Sequence, residues 1–167
     1  MIDCVIGVDP GFSGAICVFE MGEPVEIFDM PVLKIGKRTV LDDVEVREIF
    51  FPYHPVDLIK QMTHVYLEKA QTRPDQGVVS SGNYMKAYGQ VMGIVCGLGI
   101  SYTEVHPRTW KAKMMWDMPK DKGASIVRCK QIFPEFAKEH LTLKKHHGRA
   151  DAALLCAWAI KYGHGHD

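Results

Sequence analysis

The segment C-V-I-G-V-D-P-G-F-S-G-A, residues 4–15, is an apolar run that ends at an acidic residue and a turn. Its first five residues have the apolar, β-branched character of a buried strand, and Pro10-Gly11 breaks that strand. Asp9 is therefore predicted at a strand end, where a rigid element presents its carboxylate. The glycines nearby let a phosphate or metal ion approach the backbone closely. Taken alone, Asp-Pro-Gly is more typical of a turn in which the Asp caps its own backbone.

Length and composition are those of one domain with a hydrophobic core. The chain has 167 residues, of which 47% are hydrophobic and 24% charged, with no repeat or low-complexity tract. These values exclude disordered, collagen-like and coiled-coil classes, so we expect a single domain over residues 1–167. No apolar run is long enough to span a bilayer, and Asp3 stands where a signal peptide would carry positive charge. We therefore expect a cytoplasmic protein with no membrane partner.

The net charge of zero hides a polarised distribution. Residues 1–60 contain 5 Lys or Arg and 11 Asp or Glu, whereas residues 61–167 contain 15 and 9. A polyanionic partner would therefore bind the later part of the chain. The alternative is that these charges are only a solvated surface.

The spacing of apolar residues predicts a mixed sheet with helices on both faces. Asp42 or Asp43 is expected to cap a short helix that ends at Phe51, and His106-Pro107 breaks the chain before a segment at 108–115. The predicted strands are residues 2–9, 14–20, 25–30, 63–68 and 100–105, and the main predicted helices are 81–97, 122–133 and 149–162. The first three strands should form an antiparallel meander.

Three carboxylates and a histidine occupy the ends of these elements. Asp9 and Glu68 each end a predicted strand, and Asp151 lies in the first turns of the last helix. His147 precedes Asp151 by four residues, so both project from one face if the helix extends back that far. Such ligands suit Mg²⁺ or Mn²⁺ better than Zn²⁺, and they favour phosphoryl transfer assisted by two metal ions.

Each of these residues also has an ordinary structural alternative. Asp9 could form only a turn, and Glu68 could pair with Lys69 at the surface. Asp151 could interact only with the helix dipole, and His147 could lie in a solvated loop. The four residues together support the functional interpretation more strongly than each does alone. They come from three separate segments, at the strand ends and the helix start where a metal site would need them.

Six blocks of sequence, in order along nearly the whole chain, resemble the RuvC-type Holliday junction resolvases of the ribonuclease-H-like superfamily, particularly those encoded by bacteriophages. The blocks are G-V-D-P-G-F-S-G-A at 7–15, V-Y-L-E-K-A at 65–70, S-S-G-N-Y-M-K-A-Y-G-Q-V-M-G at 80–93, V-H-P-R-T-W-K at 105–111, K-D-K-G-A-S at 120–125 and K-K-H-H-G-R-A-D-A-A-L-L at 144–155. The resemblance implies an α/β, ribonuclease-H-like fold with a mixed five-stranded sheet, in which parallel strands join the antiparallel meander.

The resemblance also implies the site. Asp9, Glu68 and Asp151 become catalytic, metal-binding acids. The fourth ligand of the family is often an Asp just before the last acid, and some members have a His there. In this chain His147 takes that catalytic and metal-binding place, with His146 as the neighbouring candidate. The implied cofactor is Mg²⁺, with two ions per site, and Mn²⁺ is the alternative that a histidine ligand favours. No small-molecule cofactor is implied.

The implied substrate favours a homodimer. A four-way junction has approximate two-fold symmetry and its resolution requires paired nicks, which a C2 dimer supplies from two identical sites. The predicted helix 81–97, with small residues at Gly89, Gly93 and Gly97, is the interface candidate. The alternative is an ordinary buried core helix.

Basic residues near the predicted site are candidates for phosphate contacts, which give salt-dependent and largely sequence-independent affinity. They are Lys69, Arg73, Lys86, Arg108, Lys111, Lys113, Lys122, Lys144, Lys145 and Arg149. Lys144, Lys145 and Arg149 flank the acids and are the strongest candidates, whereas Lys111 and Lys113 could be merely solvated. The loop 71–79 suits insertion at the junction crossover, but it lacks the aromatic wedge that RuvC-like enzymes place nearby.

Three functions are compatible with these features. The leading hypothesis is a structure-selective endodeoxyribonuclease that resolves Holliday junctions, forks or flaps by two-metal hydrolysis, in the host cytoplasm if phage-encoded. The second is a junction-binding protein without cleavage activity, because His147 replaces the commoner Asp. The third is a phosphotransferase of the sugar-kinase/actin superfamily, whose first phosphate loop also combines a strand, an Asp and glycines. That architecture needs two such domains, which 167 residues do not supply.

Overall fold

The computed structural model describes residues 4–53, 63–71 and 77–163. The strands within these ranges are β1 (Cys4–Asp9), β2 (Ala15–Glu20), β3 (Glu23–Asp29), β4 (Val32–Ile35), β5 (Arg38–Leu41), β6 (Thr63–Glu68) and β7 (Ser101–Val105). The helices are α1 (Asp43–Phe50), α2 (Val78–Gly97), α3 (Pro107–Met114), α4 (Ala124–Ile132), α5 (Pro134–His140) and α6 (His147–Tyr162), with 3-10 turns at Phe51–Tyr53 and Lys144–His146. None of the helices in the described part of the chain combines the length and apolar character needed to cross a bilayer.

The main sheet has five strands in the order β3-β2-β1-β6-β7. The β1–β2 and β2–β3 pairs are antiparallel, whereas β1–β6 and β6–β7 are parallel. The predicted mixed sheet, with an antiparallel meander joined by parallel strands, is therefore confirmed. In the β1–β6 pair Val8 lies opposite Leu67, so both strands end at the same edge of the sheet.

Two hydrophobic clusters cover the two faces of this sheet, as alternation along β1 requires. Val5 packs with Trp110 and Leu155 in a cluster that draws on α3, α4, α5 and α6. Ile6 and Val8 pack in the second cluster, which draws on α1 and α2. The prediction of helices on both faces is confirmed.

Two glycines let α6 lie unusually close to the sheet and to the loop after β1. A Cβ atom on Gly7 would lie 2.4 Å from the Ala152 carbonyl oxygen, and one on Gly148 would lie 2.3 Å from the Ser13 carbonyl oxygen. No larger residue fits at either position without displacing backbone. The first turn of α6 is therefore held beside the loop that follows Asp9.

The capped helices follow the sequence signals. Asp42 caps α1, since its Oδ1 accepts a hydrogen bond from the Glu45 backbone N–H at 3.1 Å. The segment after His106-Pro107 forms α3, and His106 Nδ1 accepts from the Arg108 backbone N–H at 3.1 Å. The proline thus occupies the first turn of α3, where its missing N–H costs nothing.

Two elements were not predicted. The β4–β5 pair is a separate two-stranded hairpin, turned through Gly36 at a φ of +61°. Helix α5 begins at Pro134, which the sequence analysis treated only as the end of the preceding helix. A proline both ends one helix and fits the first position of the next, so the same residue carries both signals.

Candidate active site

Asp9 and Glu68 are the last residues of two neighbouring strands, and their side chains lie on the same face of the sheet. Gly7 contacts α6, and Asp9 lies two residues further along β1, so it points to the α6 side. Tyr66 packs in the cluster that contains α6, and Glu68 lies two residues beyond it on β6. The parallel register therefore brings two carboxylates to one edge, under the first turns of α6.

Asp9 forms the turn contact that the sequence allowed and also lies near the other acids. Its Oδ1 accepts a hydrogen bond from the Gly11 backbone N–H at 3.2 Å, so it does form a turn contact. It also lies in the acidic cluster, where burial and then the negative charge of Asp151 raise its pKa to about 6. The Gly11 hydrogen bond and the Lys111 charge oppose that rise.

Glu68 is held by a buried tryptophan. Trp110 Nε1 on α3 donates a hydrogen bond to Glu68 Oε2 at 2.7 Å, and the Trp110 side chain is fully buried. Burial is the largest cause that raises the pKa of Glu68, to about 7, with Asp9 and Asp151 adding to it. The Lys111 charge and the Trp110 hydrogen bond favour the ionised form.

A lysine ammonium lies among the carboxylates. Lys111 Nζ is 3.1 Å from Asp151 Oδ2 and 4.8 Å from the centroid of the Trp110 ring. Burial acts to lower the pKa of Lys111, but Asp151, Glu68 and Asp9 together raise it, so the ammonium stays charged. The alternative that Lys111 is merely solvated is wrong. Lys113, on the same helix, points instead to the Tyr162 ring, 5.8 Å from its centroid.

Helix α6 begins at His147, which places His147 and Asp151 one turn apart on the same helix face. Both line a cleft of about 870 Å³, together with Asp9, Lys111 and Lys122. The lining of the cleft therefore combines carboxylates, an imidazole and lysines.

His146 has a different environment. It is buried, and its Nδ1 accepts a hydrogen bond from the Leu143 backbone N–H at 3.3 Å. Burial and then the nearby Arg149 charge lower the pKa of its imidazole. Of the two candidate histidines, the structure brings His147 into the acidic cleft and leaves His146 packed outside it.

Arg149, predicted to contact DNA, forms an ion pair within the fold. Its Nε and Nη2 donate to the two carboxylate oxygens of Asp29 at 2.6 and 2.8 Å, and its Nη1 donates to the His140 carbonyl at 3.0 Å. These bonds join α6 to the end of β3 and lower the pKa of Asp29. A guanidinium engaged in this way has little capacity left for a phosphate.

The remaining predicted cations divide into two groups. Lys122 lines the acidic cleft. The other described cations are exposed on the surface: Lys69, Lys86, Arg108, Lys144 and Lys145. Arg73 lies outside the described residues.

A second groove, of about 1380 Å³, lies on the other side of the loop that follows Asp9. Its lining includes Gly11 and Phe12, Lys37 and Arg38 of the β4–β5 hairpin, and Tyr84 of α2. The sequence analysis did not select these two cations. The sequence does contain a local indication of this basic site. Residues 1–60 are acidic overall, yet three of their five Lys and Arg residues lie between positions 34 and 38.

The carboxylate oxygens and the imidazole nitrogen at the cleft are suitable ligands for a divalent cation. Their side chains, however, do not surround a common point in this structure. Within residues 4–53, 63–71 and 77–163, no three His, Cys, Asp or Glu side chains form a group that could hold a metal ion. The Lys111 ammonium lies against Asp151 instead. Burial and neighbouring carboxylates raise the pKa values of Asp9 and Glu68. A hard cation with oxygen ligands would compensate the charge of their ionised forms.

The chain is similar in sequence to one curated resolvase. No protein-family model matches the chain. "Holliday junction resolvase MOC1, chloroplastic" from Chlamydomonas reinhardtii is 32% identical over 95 residues, which are 57% of this chain and 11% of that protein. The chain thus spans about a tenth of the length of this relative.

The fold is that of RuvC. The Thermus thermophilus RuvC structure superimposes with a TM-score of 0.55 at 16% identity, and T. thermophilus RuvC in complex with Holliday junction substrate with a TM-score of 0.63 at 15% identity. Each alignment covers 96% of both chains. The ribonuclease-H-like fold is therefore confirmed, as is the resemblance to RuvC-type Holliday junction resolvases.

Proposed function

We propose that the chain is a crossover junction endodeoxyribonuclease, which resolves Holliday junctions by paired, metal-dependent nicks. The observation that carries this proposal is the convergence of three carboxylates from two adjacent strand ends and one helix. Asp9 and Asp151 line the cleft with His147 and Lys111, and both charges act on the neighbouring Glu68. The sequence similarity to a Holliday junction resolvase supports the choice of substrate.

The cleft residues would hold Mg²⁺, with Mn²⁺ as the alternative. Asp9, Glu68 and Asp151 supply the oxygen ligands and His147 supplies a nitrogen, and we propose two ions per site. When bound, such ions activate a water molecule for attack on phosphorus and offset the charge that develops on the leaving 3′ oxygen.

The residues of the chain itself prepare the site for this chemistry. Asp9 and Glu68 must be ionised to act as ligands, and the Trp110 hydrogen bond holds Glu68 toward its ionised form. The Lys111 ammonium, partly buried beside Asp151, is placed to pair with a non-bridging oxygen of the scissile phosphate. A fixed positive charge in a partly dry cleft stabilises a developing negative charge more than water does.

We propose that exposed lysines and arginines guide the DNA strand into the cleft. Lys122 lines the cleft itself, and it is joined by a surface set that consists of Lys69, Lys86, Arg108, Lys144 and Lys145. Arg73 stays in this set as a sequence prediction. Arg149 is left out, because Asp29 and the His140 carbonyl already take three of its five N–H donors. These contacts would read the backbone and leave sequence preference to other features.

We propose that two copies pair through the glycine face of α2. The buried face of α2 carries Val91 and Val95, so this helix does belong to the core. The opposite face leaves Gly93 and Gly97 exposed, and a Cβ atom added to either would meet nothing within 4 Å. Small residues on an open helix face allow two backbones to approach closely, as a C2 interface between helices requires.

A cleavage panel tests the function. Synthetic four-way junctions, forks, flaps and linear duplexes of matched sequence are incubated with Mg²⁺ or Mn²⁺, and the nicks are mapped on every strand. We expect symmetric paired nicks in the four-way junction and slower or no cleavage of the duplex. Tight junction binding without nicks under either metal would instead make the chain a junction-binding protein, and equal cleavage of the duplex would remove structure selectivity.

A further inference from the structure

One tryptophan stands exposed at the rim of the acidic cleft. The chain has 3 Trp, and their exposed fractions are 79% for Trp116, 0% for Trp110 and 4% for Trp158. A large aromatic side chain left in water contributes nothing to the core, and exposed aromatics of this kind are enriched at binding sites. The Trp116 ring is therefore accessible to a binding partner.

The turn that carries Trp116 is held in place from two sides. The Met118 backbone N–H donates to the Met115 carbonyl at 3.1 Å, which closes a turn with Trp116 and Asp117 at its tip. Asp117 also accepts a hydrogen bond from the guanidinium of Arg128 on α4. Trp116 is thus presented by a fastened turn, which reduces the entropy lost when a ligand orders its side chain.

The surroundings of Trp116 indicate the chemistry of that partner. Trp116 lines the same cleft as Asp9 and Asp151. The loop that follows it adds the exposed cations Lys120 and Lys122 to the lining, with Asp121 between them. An aromatic face next to cations is the combination that binds a single-stranded nucleic acid, in which the bases stack and the phosphates pair with the charges.

We propose that Trp116 stacks on an unpaired nucleobase of the strand held in the acidic cleft, beside the phosphate that is cut. This inference rests on the proposed function and extends it to recognition of the branch. In a linear duplex both faces of each base are covered by its neighbours, whereas base pairs that open at a branch expose a face. Stacking on Trp116 therefore favours branched DNA over duplex without reading sequence.

Variants that remove or keep the aromatic ring at position 116 should differ in their affinity for the junction. Trp116→Ala should weaken junction binding by roughly 5- to 100-fold, the range expected for the loss of one base–aromatic stack. Trp116→Phe keeps an aromatic face and should retain most of the affinity. Val127→Ala on α4 is the matched control, because Val127 is 49% exposed and does not line the cleft. Its junction affinity should equal that of the wild type.

Intrinsic fluorescence gives a readout that does not depend on activity. Wild-type protein is titrated with a four-way junction in metal-free buffer, where no cleavage occurs. Since Trp110 and Trp158 are buried, the signal that responds to a stacked base comes from Trp116. We expect strong quenching at saturation in the wild type and in Val127→Ala, and almost none in Trp116→Phe.

Four results would overturn the inference. Quenching that is equal in wild type and Trp116→Phe would show that the exposed ring does not meet the DNA. Unchanged junction affinity of Trp116→Ala, with cleavage intact, would remove the stacking contact and leave the proposed function standing. Loss of self-association in Trp116→Ala, measured by light scattering without DNA, would assign the ring to a contact between copies. A wild-type protein that neither binds nor cuts junctions would remove both proposals together.

Discussion

Lys111 Nζ lies 3.1 Å from Asp151 Oδ2, which places a covalently attached cation among three carboxylates. The same ammonium favours the ionised forms of Asp9 and Glu68, the two acids whose pKa values burial raises most clearly. Lys111 therefore limits the electrostatic cost of gathering these acids in a partly buried cleft. In the proposed reaction the same ammonium would also pair with a phosphate oxygen.

Lys111→Met should lower the rate of junction cleavage by roughly 10²-fold, the loss typical of removing one preorganised charge that faces a developing anion. Junction affinity should change little, because the proposed contacts to the DNA backbone involve many other cations. Single-turnover cleavage at saturating enzyme separates these two quantities.

Lys113→Met is the matched control for that experiment. Lys113 lies on the same helix, but its ammonium points to the Tyr162 ring and away from the acids. Its cleavage rate should equal that of the wild type. An equal loss in both variants would show that α3 contributes only general positive charge, contrary to the role assigned to Lys111.

Trp110→Phe should move the acid limb of the cleavage profile to higher pH. The Trp110 N–H stabilises the Glu68 carboxylate, so its loss raises the pKa of Glu68 further above about 7. Activity lost near neutrality should return at higher pH, and the pH dependence of single-turnover cleavage measures this shift.

Trp158→Phe controls for the loss of packing. Trp158 is also buried, and its Nε1 has no hydrogen-bond partner within the described part of the chain. Both variants should lose stability, on the order of 1–3 kcal/mol, from the smaller ring. Only Trp110→Phe should shift the pH profile, and a shift of the same size in Trp158→Phe would contradict the assignment.

His147→Ala and His146→Ala should have opposite effects. His147 lines the acidic cleft, so its loss should reduce cleavage and metal affinity while the fold is kept. His146 is buried against the turn before α6, so its loss should lower the melting temperature and leave the cleavage rate of folded protein nearly unchanged. Isothermal titration with Mn²⁺, thermal melts and cleavage rates measure all three properties. The reverse pattern would exchange the two roles.

The metal-free protein should lose stability as pH rises. The folded-state pKa values of Asp9 and Glu68 are about 6 and about 7, against ordinary values of 3.8 and 4.5. Each carboxyl binds its proton more tightly in the folded state, so this stabilisation is complete below about pH 4 and is lost as pH rises through the folded values. Other groups titrate below that pH, so the comparison is made between about pH 5 and pH 8.

Mg²⁺ should reverse this loss. Since ligand carboxylates must be ionised, the rise in melting temperature produced by Mg²⁺ should be larger at about pH 8 than at about pH 5. Asp9→Asn with Glu68→Gln removes both titrating groups and should abolish the difference. A Mg²⁺ effect that is equal at both pH values in the wild type would contradict the assignment of these acids as ligands.

Local patterns were sufficient to predict the strand ends that carry Asp9 and Glu68. Each acid follows a short apolar run, and parallel strands place such residues at one edge of the sheet. The extension of α6 to His147 was conditional in the sequence, because Gly148 is a poor helix former and weakens the local signal. In the structure Gly148 is required by the close approach of α6 to the Ser13 carbonyl.

Features that depend on distant parts of the chain were not predictable in this way. The Arg149–Asp29 pair joins residues 120 positions apart, and nothing near Arg149 in sequence indicates it. The direction in which Lys111 points depends on how α3 packs beside β6. From the sequence alone, a solvated lysine was therefore the simpler interpretation. The β4–β5 hairpin is short and largely exposed, which leaves it without a clear alternating pattern.

Asp9, Glu68 and Asp151 are proposed to form one metal-dependent nuclease site. Strand-resolved cleavage of a synthetic four-way junction tests this proposal most directly, with the wild type compared with Asp9→Asn, Glu68→Gln and Asp151→Asn in Mg²⁺ and in Mn²⁺. We predict paired, symmetric nicks by the wild type, and no cleavage with retained junction binding by each variant. A wild type that binds the junction without nicking it, or a single variant that still turns over, would contradict the account.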